Sequence, residues 1–89
     1  MKSVTTARFR KAYDSLPHRI QHLAKKAYSL WRKNPSHPSL HFKQIHKTHP
    51  FFSVRITLSW RAIAIKEEET MIWFWIGSHS DYDKIISNL

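Results

Sequence analysis

The chain has no cysteine, a single glycine (Gly77) and only six acidic side chains among 89 residues. Without cysteine there are no disulfides and no thiolate zinc site, which suits a reducing compartment. No apolar run approaches the roughly 18 residues needed to cross a bilayer. The opening Met1-Lys2-Ser3-Val4 lacks the apolar centre of a secretory signal. A cytoplasmic protein with no membrane association is the expectation. At 89 residues, one domain spanning 1–89 is expected, with one core and little stability to spare.

What is present is positive charge and aromatic bulk. Hydrophobic residues make up 42% of the chain and aromatics 13%, enough to build a core and to exclude a disordered tail. Fifteen Lys and Arg give a net charge of +9. Eleven of them lie in residues 1–50 with one acid, Asp14, for a net +10; residues 51–89 carry four bases and five acids, for a net −1. Charge this segregated points to a polyanionic partner such as RNA. A well-solvated helical surface is the plainer alternative.

Residues 1–6 form either a brief edge strand or a frayed end. Thr5 or Thr6 can cap a helix. Phe9, Ala12, Tyr13 and Leu16 then recur at i, i+3, i+4 and i+7, the spacing of one buried helical face. Pro17 suits the start of a second helix, whose stripe is Ile20, Leu23, Ala24, Ala27, Tyr28 and Trp31; Asn34-Pro35 ends it. So short a joint predicts a helical hairpin. Leu40, Phe42 and Ile45 suggest a strand or an irregular extended stretch, and His49-Pro50 a turn. Phe52–Thr57, Trp60–Lys66 and Thr70–Ile76 read as strands, the last apolar on both faces, with Leu58-Ser59 and Glu67-Glu68-Glu69 as connections and Gly77 as the break. Ser78–Leu89 reads as a terminal helix with Ile85, Ile86 and Leu89 inward. The fold class is α+β: an N-terminal α-helical hairpin packed on a small antiparallel β-sheet of three to four strands, with a short C-terminal helix.

At Ser53-Val54-Arg55-Ile56, at Trp60-Arg61-Ala62-Ile63 and along Trp73-Phe74-Trp75-Ile76-Gly77-Ser78-His79-Ser80-Asp81-Tyr82-Asp83 the chain resembles the RelE/ParE superfamily of toxins from toxin–antitoxin systems. The likeness is to the branch whose last strand runs into a Gly-x-His-x-x-Tyr segment. The resemblance implies a metal-independent endoribonuclease, an mRNA interferase that cleaves ribosome-associated mRNA and so represses translation. It implies silencing by a cognate acidic antitoxin, and a monomer or a toxin–antitoxin hetero-oligomer. By position, Arg61 matches the arginine opening the middle strand and Arg55 the basic residue of the strand before. His79 and Tyr82 match the C-terminal pair, and Lys43 and Lys47 fall where some members supply lysines. The chain departs from the pattern in a first strand shortened to residues 1–5, in Leu58-Ser59 where a glycine is usual, and in the spacing of His79 and Tyr82. Two other readings stay open: a non-catalytic ParE-like toxin that binds a gyrase-type target, and a degenerate orphan that binds only nucleic acid or antitoxin.

RNA can be cut without metal when its own 2′-OH attacks the adjacent phosphate. That requires a base, an acid for the leaving 5′-oxygen, and cations around the phosphate. His79 suits the acid or base role, because imidazole titrates near neutral pH. Arg55 and Arg61 can clamp the phosphate, and Tyr82 can stack on a base or donate a proton. The structural alternatives are a capping or surface role for His79, ion pairs from Arg55 and Arg61 to Glu67–Glu69 or Asp81, and a core role for Tyr82. Lys43, Lys47, Lys25, Lys26, Arg32 and Lys33 are the candidate nucleic-acid contacts. Trp60, Trp73 and Trp75 can stack on bases, but core packing suits them better, with Trp73 and Trp75 on one strand face. His18 and His22 lie i, i+4 on a helix with no third ligand, so no metal and no cofactor is expected. Asp81 and Asp83 read as helix N-terminal charges.

Overall fold

A computed structural model describes residues 1–89. The order is β1 (Lys2–Thr5), α1 (Ala7–Asp14), α2 (His18–Lys33), a 3₁₀ turn (Pro38–Leu40), β2 (Lys43–Gln44), β3 (Phe51–Thr57), β4 (Trp60–Glu67), β5 (Thr70–Ser78) and α3 (His79–Ile86). One sheet runs β1-β5-β4-β3-β2. The sheet therefore has five strands rather than three to four, and it is not wholly antiparallel: β1 runs parallel to β5. The stretch around Leu40, Phe42 and Ile45 contributes only the turn and the two-residue β2.

Local chemistry explains the helix starts. Thr6 caps α1, its Oγ1 accepting from Phe9 N at 3.0 Å. Pro17 caps α2 with no side-chain bond. The joint between them is clamped by Gln21, whose Nε2 donates to Tyr13 O at 3.0 Å, and by Tyr13, whose hydroxyl donates to Gln21 O at 3.2 Å. The two helices meet mainly at this joint and pack chiefly on the sheet. Helix α1 lies on β5 and α2 on β3, so each helix finds its apolar partner on the sheet.

The core fills the space between helices and sheet. Leu16, Ile20, Ala24 and Trp31 meet Val54, Ala62, Ala64, Met71, Trp73 and Ile76. Trp31 stands edge-on to Trp73 with ring centroids 5.2 Å apart. Ala62 and Ala64 on β4 leave the room these rings occupy. Burying each large apolar side chain contributes about 1.5–3 kcal/mol. Trp73 Nε1 donates to Ser3 Oγ at 3.0 Å, which ties the brief β1 to the core.

One irregularity sets the rest. Ala64 pairs with Trp73 and Ile63 with Trp75, so Phe74 is an extra residue, a β-bulge. The bulge resets the alternation of β5, and Ile76 again faces the helices. Trp73 and Trp75 therefore lie on opposite faces, not on one. Trp75 packs near Tyr82 at 6.4 Å. Gly77 does not end the strand; it lies within β5. A Cβ there would stand 2.7 Å from Trp75 Cζ2, so glycine is what lets the indole lie across the backbone. A second register shift, between Arg55 and Thr57, shapes the glycine-free Leu58-Ser59 turn. The terminal helix is shorter than the sequence suggests and buries Tyr82; Ile85 and Ile86 are half-buried and Leu89 is exposed.

Candidate functional site

The sheet has two unlike faces. Paired residues on neighbouring strands share a face. Val54 and Ala62 point at the helices, so Arg55 and Arg61, the next residue on β3 and the residue before on β4, point to the other side. Arg55 pairs with Arg61, and Arg61 with Gly77. Two strands, β3 and β4, thus deliver two guanidinium groups to one end of the open face, beside the start of α3.

Arg61 leans on the β3–β4 turn, where its Nη1 donates to the carbonyls of Thr57, Leu58 and Trp60. Arg55 Nε donates to Ser39 O at 3.3 Å. Burial, and then the neighbouring Arg55 cation, pulls the Arg61 guanidinium below its ordinary value, while Tyr82 and Asp83 act the other way. Neither arginine has a carboxylate at ion-pairing distance; the two ion pairs of the chain are His79–Asp83 and Lys84–Asp81. The alternative of ion pairs to Glu67–Glu69 or Asp81 therefore does not hold. Those glutamates occupy the β4–β5 turn, at the other end of β4 from Arg61. Like charges side by side repel, so an anion between the two would be stabilised.

His79 opens α3. Its backbone N–H donates to Ser59 O at 2.7 Å, fastening the helix to the same turn that holds Arg61. Ser78 caps the helix, its Oγ accepting from Asp81 N at 3.2 Å. His79 Nε2 lies 3.3 Å from Asp83 Oδ2, and Nδ1 is buried without a hydrogen-bond partner. The imidazole sits edge-on to Tyr82 at 5.9 Å. Tyr82 itself is buried, and its hydroxyl donates to Ser53 Oγ at 2.9 Å. Ser53 is the one buried polar residue, so this bond satisfies both groups and pins α3 across the sheet.

Lys43 pairs with Ser53 and so lies on the open side. With Lys47, His46, Tyr82 and Ile86 it lines a shallow depression of about 410 Å³ beside α3. Lys25, Lys26, Arg32 and Lys33 are exposed on α2, beyond the opposite face of the sheet. The structure thus gathers Arg55, Arg61, His79 and Tyr82, sets Lys43 and Lys47 beside them, and leaves the α2 cations elsewhere. Nowhere do three or more His, Asp or Glu side chains converge as a metal site. Asp81 lies in the first turn of α3, but Asp83, also read as a helix N-terminal charge, lies beyond it and faces His79; that role, and the one of Ser53, escaped the sequence reading. The i, i+4 spacing of His79 and Asp83 carried a signal for the first; the second depends on a long-range contact.

A sheet covered by helices on one face and carrying a cationic end on the other, closed by a Gly-x-His-x-x-Tyr segment, defines a domain of the RelE/ParE toxin class. The family model of the ParE-like toxin domain matches residues 18–84, and the chain belongs to that family. Among solved structures, a chain of the RelB–RelE antitoxin–toxin complex from Methanococcus jannaschii is similar, with 19% identity, coverage of 91% of this chain and 96% of that one, and a TM-score of 0.71. YafQ from E. coli is similar at 11% identity, 92% and 98% coverage and a TM-score of 0.72. The YoeB/ParE toxin from Agrobacterium tumefaciens gives 15%, 89% and 99%, and 0.68. Among curated proteins none matches this chain. No helix is long and apolar enough to cross a membrane.

Proposed function

We propose that this toxin-family chain is a metal-independent endoribonuclease that cuts mRNA on the ribosome. The observation that carries the reading is the convergence of Arg55, Arg61 and His79 at one end of the open sheet face, with no carboxylate at ion-pairing distance from either arginine. The two guanidinium groups hold the non-bridging oxygens of the scissile phosphate as negative charge builds during attack by the neighbouring 2′-OH. His79 acts as the base: its imidazole takes the 2′-OH proton on Nε2, Asp83 beside that nitrogen stabilises the resulting imidazolium, and solvent water protonates the leaving 5′-oxygen. Tyr82 keeps α3, and with it His79, in register through its bond to Ser53. Lys43 and Lys47 guide the backbone of the strand beside this point. The α2 cations, on the far side, attract the larger polyanionic body by long-range steering.

The antitoxin site belongs to the helix face. An open groove of about 610 Å³ runs between α1 and α2, with Phe9, Tyr13 and Tyr28 on its walls and Val54, Ala62 and Trp73 on its floor. Two cations, Arg10 and Lys25, and one carboxylate, Asp14, stand at its edge, for a net positive rim. An acidic, apolar segment of a partner chain fits that combination, and copurification with a small acidic protein tests it.

Primer-extension mapping of transcripts after expression tests the nuclease. Discrete new 5′ ends that disappear in His79→Ala support it. Translational arrest with intact transcripts, or relaxed DNA supercoiling instead, overturns it in favour of a binding toxin.

A further inference from the structure

The loop before β3 is more elaborately built than a connection requires. His46 Nδ1 accepts from the backbone N–H groups of Thr48 at 3.1 Å and His49 at 3.0 Å. Gln44 Nε2 donates to the carbonyls of His46 and His49, both at 3.1 Å. Ile45 N to Phe51 O at 2.8 Å closes the loop on the strand. With Nδ1 committed as an acceptor, the neutral His46 ring carries its proton on Nε2. This loop holds its rings in place before any ligand arrives.

Four rings result, centred on Phe51. His46 and His49 stand 4.7 Å apart, each about 6 Å from Phe51, at 6.1 and 6.2 Å, and Phe51 is 5.8 Å from Phe74. Phe51 and Phe74 come together on the open face: Phe51 shares the side of Arg55, and Phe74 follows Trp73, which faces the helices. His49 is exposed, and the other three are half-buried. Lys43 and Lys47 flank the array, sharing a depression with His46. Two imidazoles, one with a nitrogen already engaged, do not make a metal site.

We propose that His46, His49, Phe51 and Phe74 form a base-stacking platform for single-stranded RNA. Lys43 and Lys47 hold the phosphates of the same strand as it runs along the open face away from Arg55 and Arg61. Planar rings held half-exposed on a sheet accept base faces with little sequence preference, and a flanking pair of lysines supplies the charge-dependent part of the affinity. This rests on the reading of RNA as the substrate, but not on the identity of the cutting groups.

The test is binding of a fluorescently labelled 2′-O-methyl oligoribonucleotide of about ten nucleotides to the full chain over a range of salt concentrations. Such a strand cannot be cut through its 2′-OH, so a failure of the nuclease reading leaves this measurement intact. His49 makes no side-chain hydrogen bond, so His49→Ala leaves the loop standing; Phe74→Leu keeps apolar volume while removing the ring. Each substitution is expected to weaken binding about five- to tenfold without changing the dependence on salt. His49→Tyr is expected to retain binding. Lys47→Ala is expected to weaken binding and to flatten the slope of log affinity against log salt by about 0.7. The proposal is overturned if His49→Ala and Phe74→Leu both bind as the parent chain does, or if His49→Ala flattens the slope as Lys47→Ala does. It is equally overturned if the ring variants spare the oligonucleotide and instead lose an acidic partner protein on copurification.

Discussion

The two faces of the sheet differ in what they ask of their residues. On the helix face every side chain answers to volume: Ala62 and Ala64 are small so that Trp31 and Trp73 fit, and Trp73 spends its one polar atom on Ser3. On the open face the same strands carry two arginines, a buried serine and a patch of half-exposed aromatics, answered only in part by α3. The net charge lies mostly on the helix side of the molecule, while the geometry suited to chemistry lies on the other. Charge content and reactive geometry are thus separable, and the larger signal in the composition does not mark the candidate site.

Substitutions on either face sharpen this contrast. The largest stability effect belongs to the helix face: Trp73→Ala is expected to lose about 3–5 kcal/mol, read by urea unfolding. Arg61→Ala should do the converse, costing about 100- to 1000-fold in cleavage rate while the loss of its bonds to the β3–β4 turn lowers the unfolding midpoint far less than Trp73→Ala does. If Arg61→Ala unfolds the protein as Trp73→Ala does, Arg61 is a strut for the β3–β4 turn and the contrast weakens. Gly77→Ala forces a Cβ against the Trp75 ring and is expected to destabilise by about 1–3 kcal/mol. A larger residue at 77 should also disturb His79, two positions on, so its cleavage loss should exceed what unfolding alone explains. Tyr82→Phe is the smallest change. It removes the bond to Ser53 and should cost about 1 kcal/mol, with cleavage reduced but not abolished.

Much of the architecture was legible because periodicity carries phase. Phe9, Ala12, Tyr13 and Leu16 mark the inner face of the first helical segment, and the Thr5-Thr6 pair its start, with Thr6 the cap in the structure. The three long strands were legible from their β-branched and aromatic runs, with ends within two residues of those observed. The bulge was not. Ile72 to Ile76 is apolar on both faces, so alternation has no contrast from which to read a phase, and Trp73 and Trp75 were given the same side. The parallel pairing of Lys2–Thr5 with Thr70–Trp73 has no local signature, since it depends on a partner far along the chain. For the site, Arg55, Arg61 and His79 were legible from the motif, as was the residue Tyr82. Its burial against Ser53 was not, because a helical tyrosine looks alike whether it faces sheet or solvent. The α2 cations were legible as charge but not as a location: only the layer order places them across the sheet from Arg61.

The most direct measurement is the map of mRNA 5′ ends after expression of three variants: Arg61→Ala, His79→Ala, and a chain with Lys25, Lys26, Arg32 and Lys33 all changed to Gln. The account predicts that the first two abolish the new ends, whereas the fourfold α2 variant produces ends at the parent's positions, in lower yield. Cleavage that persists in the two open-face variants, or cut positions that move when the α2 cations are removed, would contradict it.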